Sequence, residues 1–210
     1  MDALQHLKNA DPRLSKVIDK IGSLDYLAYN NHPDSFIFLV KEIIGQMISS
    51  SVKKVIWERF LALCNSVVTP SSVSNLSIEQ LRGIGLSQSK SSYILNLAKI
   101  VINEEINFSQ LETMSDDEVL SILTSIKGIG NWTAKMYLLF FLQREDILPY
   151  EDGAFLQAYK WLYNTKVTKP DSISRRCKKW KPYSSIGARY MYRALDTGLT
   201  KIPIKQFLEA

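Results

Sequence analysis

The sequence predicts an all-α protein of about ten helices, and three observations carry that expectation. Apolar residues recur at three- and four-residue spacings, most clearly in "HPDSFIFLVKEIIGQMISSSVKKVIWERFLALC" over residues 32–64, which is the period of helices with one buried face. No segment shows the alternating pattern of a half-buried strand. Serine, threonine, aspartate or asparagine stands just before most of the periodic segments, where a helix N-terminus needs a side-chain acceptor.

Taken in order, residues 1–33 read as a helix and a connector. Asp34 or Ser35 opens the 34–64 segment, which has the length of two helices. "SIEQLRGIG" (77–85) begins with Ser77 and has Gln80 three residues on, a capping box. Ser87 caps the amphipathic "SQSKSSYILNLAKIVIN", and Ser115 caps "SDDEVLSILTSIKGIG", whose first turn is acidic as the helix dipole favours. Asn131 is expected to cap "NWTAKMYLLFFLQ". After "REDILPYED" come "GAFLQAYKWLYN", a loop with a short basic helix over 165–182, and "SSIGARYMYRALDTG". One internal echo is present: "LRGIGLSQSK" (81–90) parallels "IKGIGNWTAK" (126–135), so two similar helix–turn–helix units are expected.

With 210 residues, 46% hydrophobic and 22% charged, the chain can bury a substantial core. It has no run of 18 apolar residues, so no membrane span is expected, and the polar N-terminus lacks the apolar stretch of a signal peptide. An intracellular protein is the expectation. Two distant cysteines, Cys64 and Cys177, exclude a four-cysteine zinc or iron–sulfur site. Two histidines, His6 and His32, make a zinc centre improbable. The net charge is +5, but residues 160–205 alone hold twelve Lys/Arg against two acids, a local +10 that leaves the remainder at −5. Such asymmetry fits a face that meets a polyanion, or a solvated lysine-rich surface.

The "GIG" at 128–130 combines two glycines immediately before a long apolar helix. Glycine permits a tight turn, and the amides that open the next helix have no intrahelical partner. With the helix dipole behind them they suit a phosphate oxygen; a plain interhelical turn is the other reading. Asp152 likewise reads either as the N-cap of the next helix or as a functional carboxylate, with Glu151 the competitor one residue away. Trp132 reads as helix packing or as an aromatic surface for a ligand.

The ordered motifs resemble the helix-hairpin-helix DNA glycosylase superfamily: "IKGIGNWTAK", then "LPYEDGAFLQAY" about twenty residues on, preceded by "EIIGQMISSSVKKVIWERF" and "LRGIGLSQSKSSYILNLA". "WKPYSSIGARYMY" resembles the C-terminal segment of the alkylated-base branch, the 3-methyladenine DNA glycosylase II type. The resemblance spans about residues 35–195. It implies a compact, two-lobed all-α fold without an extra N-terminal β domain, one lobe roughly 40–145 and the other 1–39 with 146–210. It implies base excision from double-stranded DNA by a monomer, removing flipped-out alkylated purines such as 3-methyladenine and 7-methylguanine. Same-fold enzymes for oxidised or deaminated bases, a non-catalytic DNA-binding module and a plain helical interaction protein are the alternatives.

By position, the resemblance makes Gly128, Gly130, Thr133 and Ala134 the DNA-holding hairpin, and Asp152 the carboxylate that stabilises an oxocarbenium-like sugar and directs water. Backbone carbonyls of Thr124, Ile126 and Ile129 would ligate a structural Na+ or K+; no cofactor is required for the chemistry. Lyase-active branches carry a lysine where Trp132 stands, so no Schiff-base nucleophile is expected, and an indole face suits a cationic base. Tyr192 and Met136 fall at further base-pocket positions. Gln88 is the first candidate to fill the gap left by the flipped base. Gln46 is the second, or it caps buried backbone. Lys90, Lys127 and Lys135 are expected at phosphate or in solvent, and Ser184 stands where the family often has arginine.

Overall fold

The computed structural model describes residues 2–24 and 34–209, so His32 and the connector around it lie outside the described residues. The chain divides into two units, Asn30–Leu142 and Met1–Tyr29 with Gln143–Ala210. The regular structure of the described residues is helical, with no strand among them.

The N-terminal segment forms two helices, α1 (Ala3–Ala10) and α2 (Pro12–Ile21), where the sequence leads one to expect one. The break is local chemistry. Pro12 lacks an N–H and is tolerated only in a first turn, and the Asp11 carboxylate accepts from the amides of Arg13 and Leu14 at 3.1 and 3.3 Å. Asp11 is 1% exposed. Its other oxygen accepts from the Trp180 indole at 2.9 Å and from the Tyr163 hydroxyl, and Lys179 lies at 3.2 Å. Burial alone would raise its pKa, but the bonds from Tyr163 and Trp180 and the Lys179 charge outweigh it and hold the carboxyl below its usual value.

The Asn30–Leu142 unit is built around α3 (Ser35–Gly45), capped by Asp34, whose Phe36, Phe38, Leu39, Val40, Ile43 and Ile44 are all buried. A helix this apolar, with Lys41 and Glu42 its only charges, belongs in a core. The segments that follow are α4 (Ser50–Leu63), α5 (Pro70–Ser74), α6 (Ile78–Gly83), α7 (Gln88–Ile102), α8 (Phe108–Leu111), α9 (Asp116–Ser125) and α10 (Asn131–Met136). The helix α3 packs against α4, α7 and α10. The capping boxes at Ser77/Gln80 and Ser115/Glu118 and the Ser87 cap form as expected. Asn131 does not cap α10: Gly130 is the N-cap and no side chain bonds there. Beyond Met136 the helix widens to a π turn over Tyr137–Phe141. Tyr137 stacks on Phe141 at 4.8 Å, meets Phe38 edge-on and shares a 2.8 Å hydrogen bond with Ser35. Burial pushes its hydroxyl up to about 12.

The other unit is completed by α11 (Gly153–Tyr163), α12 (Pro170–Cys177), a 3₁₀ turn over Lys178–Trp180, α13 (Ser184–Asp196) and α14 (Ile204–Glu209). Within it α13 is buried from Ser184 through Tyr192 and packs on α2 and α11. Ser184, at the family's arginine position, donates its hydroxyl to Asp146 at 2.6 Å, and Ser185 receives the Ile147 amide at 2.9 Å. The described residues form fourteen α-helical segments rather than about ten. The excess lies in one-turn pieces such as α5, α8 and α14, too short to show a hydrophobic period.

Candidate active site and nucleic-acid interface

The two Gly-Ile-Gly segments prove different in backbone. In the first, α6 runs through Gly83 and the left-handed residue is Gly85, at φ +106°. In the second, α9 stops at Ser125 and the left-handed residue is Gly128, at φ +102°, with Gly130 extended. The echo of sequence therefore does not give two equivalent turns. Their helix starts differ as well. Ser87 occupies the Lys90 amide at 3.3 Å, whereas α10 opens without a side-chain cap. Its leading amides, Asn131 to Thr133, precede the first intrahelical bond, Ala134 N–H to the Gly130 carbonyl at 3.0 Å. Only the second turn has the open helix start that an anion needs.

Gly128 is fixed by packing as well as by φ: a Cβ there would stand 2.3–2.7 Å from Tyr93 side-chain atoms. Gly130 faces open space. Thr133 and Ala134, expected at the DNA, are buried. The Thr133 hydroxyl accepts from the Gln46 side-chain amide at 3.1 Å, and the same amide donates to the Gly128 carbonyl at 3.0 Å. Thr133 and Ala134 thus hold the hairpin from inside, while Gly130 and Asn131 are exposed.

Gln46, expected as a gap-filler or a backbone cap, does the second. Its own carbonyl and that of Ile44 accept from the Lys90 ammonium at 2.6 and 2.9 Å. Lys90 therefore closes the C-terminal end of α3, where a cation is favoured, rather than standing at phosphate or in solvent. Burial lowers its pKa. The next residue, Met47, was not singled out by the sequence. It is a fully exposed methionine with φ +56°, a backbone region that costs a non-glycine residue free energy. Its apolar side chain projects into solvent from a turn anchored by Gln46. Gln88 is exposed in the first turn of α7.

Asp152 is the N-cap of α11, its Oδ1 accepting the Phe155 amide at 2.8 Å. Cap and catalytic group are compatible roles, because a carboxylate has two oxygens and the helix dipole favours its charge. Asp152 is half-buried and Glu151 exposed. In the same unit Tyr192 is buried and lies edge-on to Phe155 at 6.5 Å. In the hairpin unit Trp132 is half-buried on α10. Met136, expected in a base pocket, is 4% exposed and offers almost no surface. Of the carbonyls expected around a cation, that of Ile126 also accepts the Ile129 amide at 3.0 Å, which uses one of its two lone pairs. Among the described residues no group of three or more His, Cys, Asp or Glu is gathered for a metal, and no helix is long and apolar enough to cross a membrane.

Known proteins place these features in a family. The family model of the HhH-GPD superfamily base excision DNA repair proteins matches residues 40–182. Alkylbase DNA glycosidase-like protein mag2 of Schizosaccharomyces pombe is 28% identical over 197 residues, covering 91% of this chain and 92% of that protein. The crystal structure of a DNA-3-methyladenine glycosidase from Bacillus halodurans superposes with a TM-score of 0.83 at 28% identity, over 100% of this chain and 97% of that one. The S. pombe 3-methyladenine DNA glycosylase Mag1 in complex with abasic DNA shares the fold, with a TM-score of 0.81 at 24% identity over 93% and 97% of the two chains. The chain belongs to the HhH-GPD superfamily of base excision DNA repair proteins.

Proposed function

We propose that this chain is a monofunctional DNA glycosylase that hydrolyses the N-glycosidic bond of flipped-out alkylated purines of the 3-methyladenine and 7-methylguanine type. The observation that carries the reading is Asp152, a half-buried carboxylate fixed at the start of α11, in a chain with Trp132 where a lyase would need lysine. Relatives named as 3-methyladenine glycosylases support the substrate class.

The base must leave the stack before its bond to the sugar is reached. The C1′–N bond breaks with its electron pair going to the base. An N-alkylated cationic purine departs neutral and needs no strong acid. The sugar becomes oxocarbenium-like, and the Asp152 carboxylate stabilises that charge and receives the proton of the water that forms the C1′–O bond. Trp132 offers an indole face to the cationic base. Tyr192 is proposed at the base by its place in the family's C-terminal segment, whereas Met136, 4% exposed, contributes packing.

The α10 amides and Gly130 hold the backbone of the duplex without reading sequence. Met47 fills the gap: apolar wedges of this kind support unstacking, and neither Gln88 nor the engaged Gln46 matches its exposure. Carbonyls of Thr124, Ile126 and Ile129 form an all-oxygen donor set that fits Na+ or K+, and a bound cation would add positive charge beside a phosphate. The protein acts as a monomer inside the cell, which its two free, buried cysteines suit.

The test is free-base release from methylated duplex compared with duplexes carrying oxidised or deaminated bases, with borohydride present. The proposal expects methylpurine release and no trapped covalent complex. Release confined to oxidised or deaminated bases would overturn the substrate class, and a trapped complex would overturn the water mechanism.

A further inference from the structure

We propose that the basic face formed by α12 and the 3₁₀ turn after it is a second duplex-DNA contact, a phosphate-gripping patch outside the lesion site. The inference rests on the reading that this chain acts on DNA. Residues 166–181 carry seven Lys/Arg and one acid, Asp171. Among the described residues, carboxylates pair with two of these cations: Lys179 lies 3.2 Å from Asp11 and Lys181 lies 3.0 Å from Asp146.

Part of the patch is held in place. The Arg176 guanidinium lies over the rings of Tyr163 and Tyr159 at 5.0 and 5.8 Å, and Lys179 stands 5.7 Å over Tyr163. Tyr163 and Lys179 both end on the buried Asp11 carboxylate. A face that serves only solubility has no need to fix an arginine on aromatic rings. A surface that grips phosphates benefits, because a preorganised guanidinium loses less freedom on binding. Arg175 and Lys178 extend the patch outward and are exposed.

Its location sets what it can reach. Tyr159 and Tyr163 are seven and eleven residues beyond Asp152 on α11, about 10–17 Å along the axis at 1.5 Å per residue. The patch is therefore too far to touch a nucleotide reacting at Asp152, but within the span of duplex flanking it, where a phosphate charge recurs about every 1.7 Å. Across residues 166–181 Val167 is the one exposed large hydrophobic side chain, at 51%, an isolated residue and not an apolar patch. That favours a phosphate backbone over a protein partner, whose interface would need an apolar centre.

The experiment uses the full chain and the double variant Arg175→Gln/Lys178→Gln. Affinity for an undamaged 25-base-pair duplex is read by fluorescence anisotropy between about 50 and 200 mM salt, a range over which phosphate contacts dominate the slope. Two lost phosphate contacts should lower the slope of log affinity against log salt by about 1.8. Melting temperature and single-turnover methylpurine release at saturating enzyme should stay at the parent's values. An unchanged slope, with release intact in the parent, would overturn the patch alone. Loss of release at saturation would place these residues in the active site and overturn the inference as stated. A lowered slope in a chain whose parent releases no base would uphold the patch and sink the glycosylase reading instead.

Discussion

Replacing Gly128 with alanine adds a single methyl group where two separate costs meet. The backbone stands at φ +102°, a left-handed conformation that costs an L-residue about 1–2 kcal/mol. The new Cβ would lie 2.3–2.7 Å from the Tyr93 side chain, and forced overpacking of that kind costs about 1–3 kcal/mol. Together the loss is about 2–5 kcal/mol. For a chain of this size each kcal/mol moves the melting temperature by about 2–4 °C, so calorimetry should show a drop of about 4–20 °C. Gly130 is the control, since it has an ordinary φ of −98° and open space around its Cα. Gly130→Ala should change stability by less than about 0.5 kcal/mol yet weaken duplex binding if, as proposed, the open space at Gly130 admits a phosphate backbone. The pair of variants separates a glycine that shapes the fold from one that admits the ligand. A Gly128→Ala protein melting within 1 °C of the parent, or Gly128→Ala and Tyr93→Ala effects that simply add in a double-mutant cycle, would refute the packing argument.

Three further outcomes follow from side chains already placed. Lys90→Met removes the donor to the Ile44 and Gln46 carbonyls and should cost about 1–3 kcal/mol, seen as a lower urea midpoint with unchanged slope. Asp11 has a lowered folded pKa, so its stabilisation is complete above its unfolded value of about 3.9 and lost as pH falls toward the folded value. Acid titration of stability should show this loss below about pH 4, and Asp11→Asn should flatten it; an unchanged acid limb would remove Asp11 from the account. Met47→Ala should leave melting within about 0.5 kcal/mol of the parent, since the side chain is fully exposed. It should slow base release from duplex more than from single-stranded substrate, and equal effects on both would dismiss the wedge.

The all-α class was legible because cap chemistry and helical period agree along the chain, and the Ser77, Ser87 and Ser115 caps are local features needing no tertiary knowledge. The break at Asp11 has a local signal in its Asp-Pro pair, while the buried hub of Asp11, Tyr163, Trp180 and Lys179 joins residues up to 169 positions apart and has no local signature. The Gly-Ile-Gly echo shows the limit of pattern. Identical tripeptides adopt different backbones because α6 continues through its first glycine, Gly83, whereas α9 ends at Ser125, before Gly128. The Asp152 cap was legible from its place just before a helix, while its catalytic assignment rests on the family motif that follows the hairpin. Gln46 and Met47 were not separable in sequence: one turned inward to the hairpin and the other outward at positive φ, a division set by the Lys90 and Thr133 contacts of their turn.

The central claim is that the Asp152 carboxylate performs the chemistry, and the structure supplies a clean way to ask. Asparagine caps a helix about as well as aspartate, so Asp152→Asn should keep the Phe155 amide satisfied and the fold intact while removing the charge. Methylpurine release from methylated duplex, measured in single turnover with enzyme in excess, should fall by about a hundredfold or more, the scale of deleting one charge-stabilising group, with duplex affinity and melting temperature preserved. Release at the parent's rate by a folded, DNA-bound Asp152→Asn protein would contradict the account.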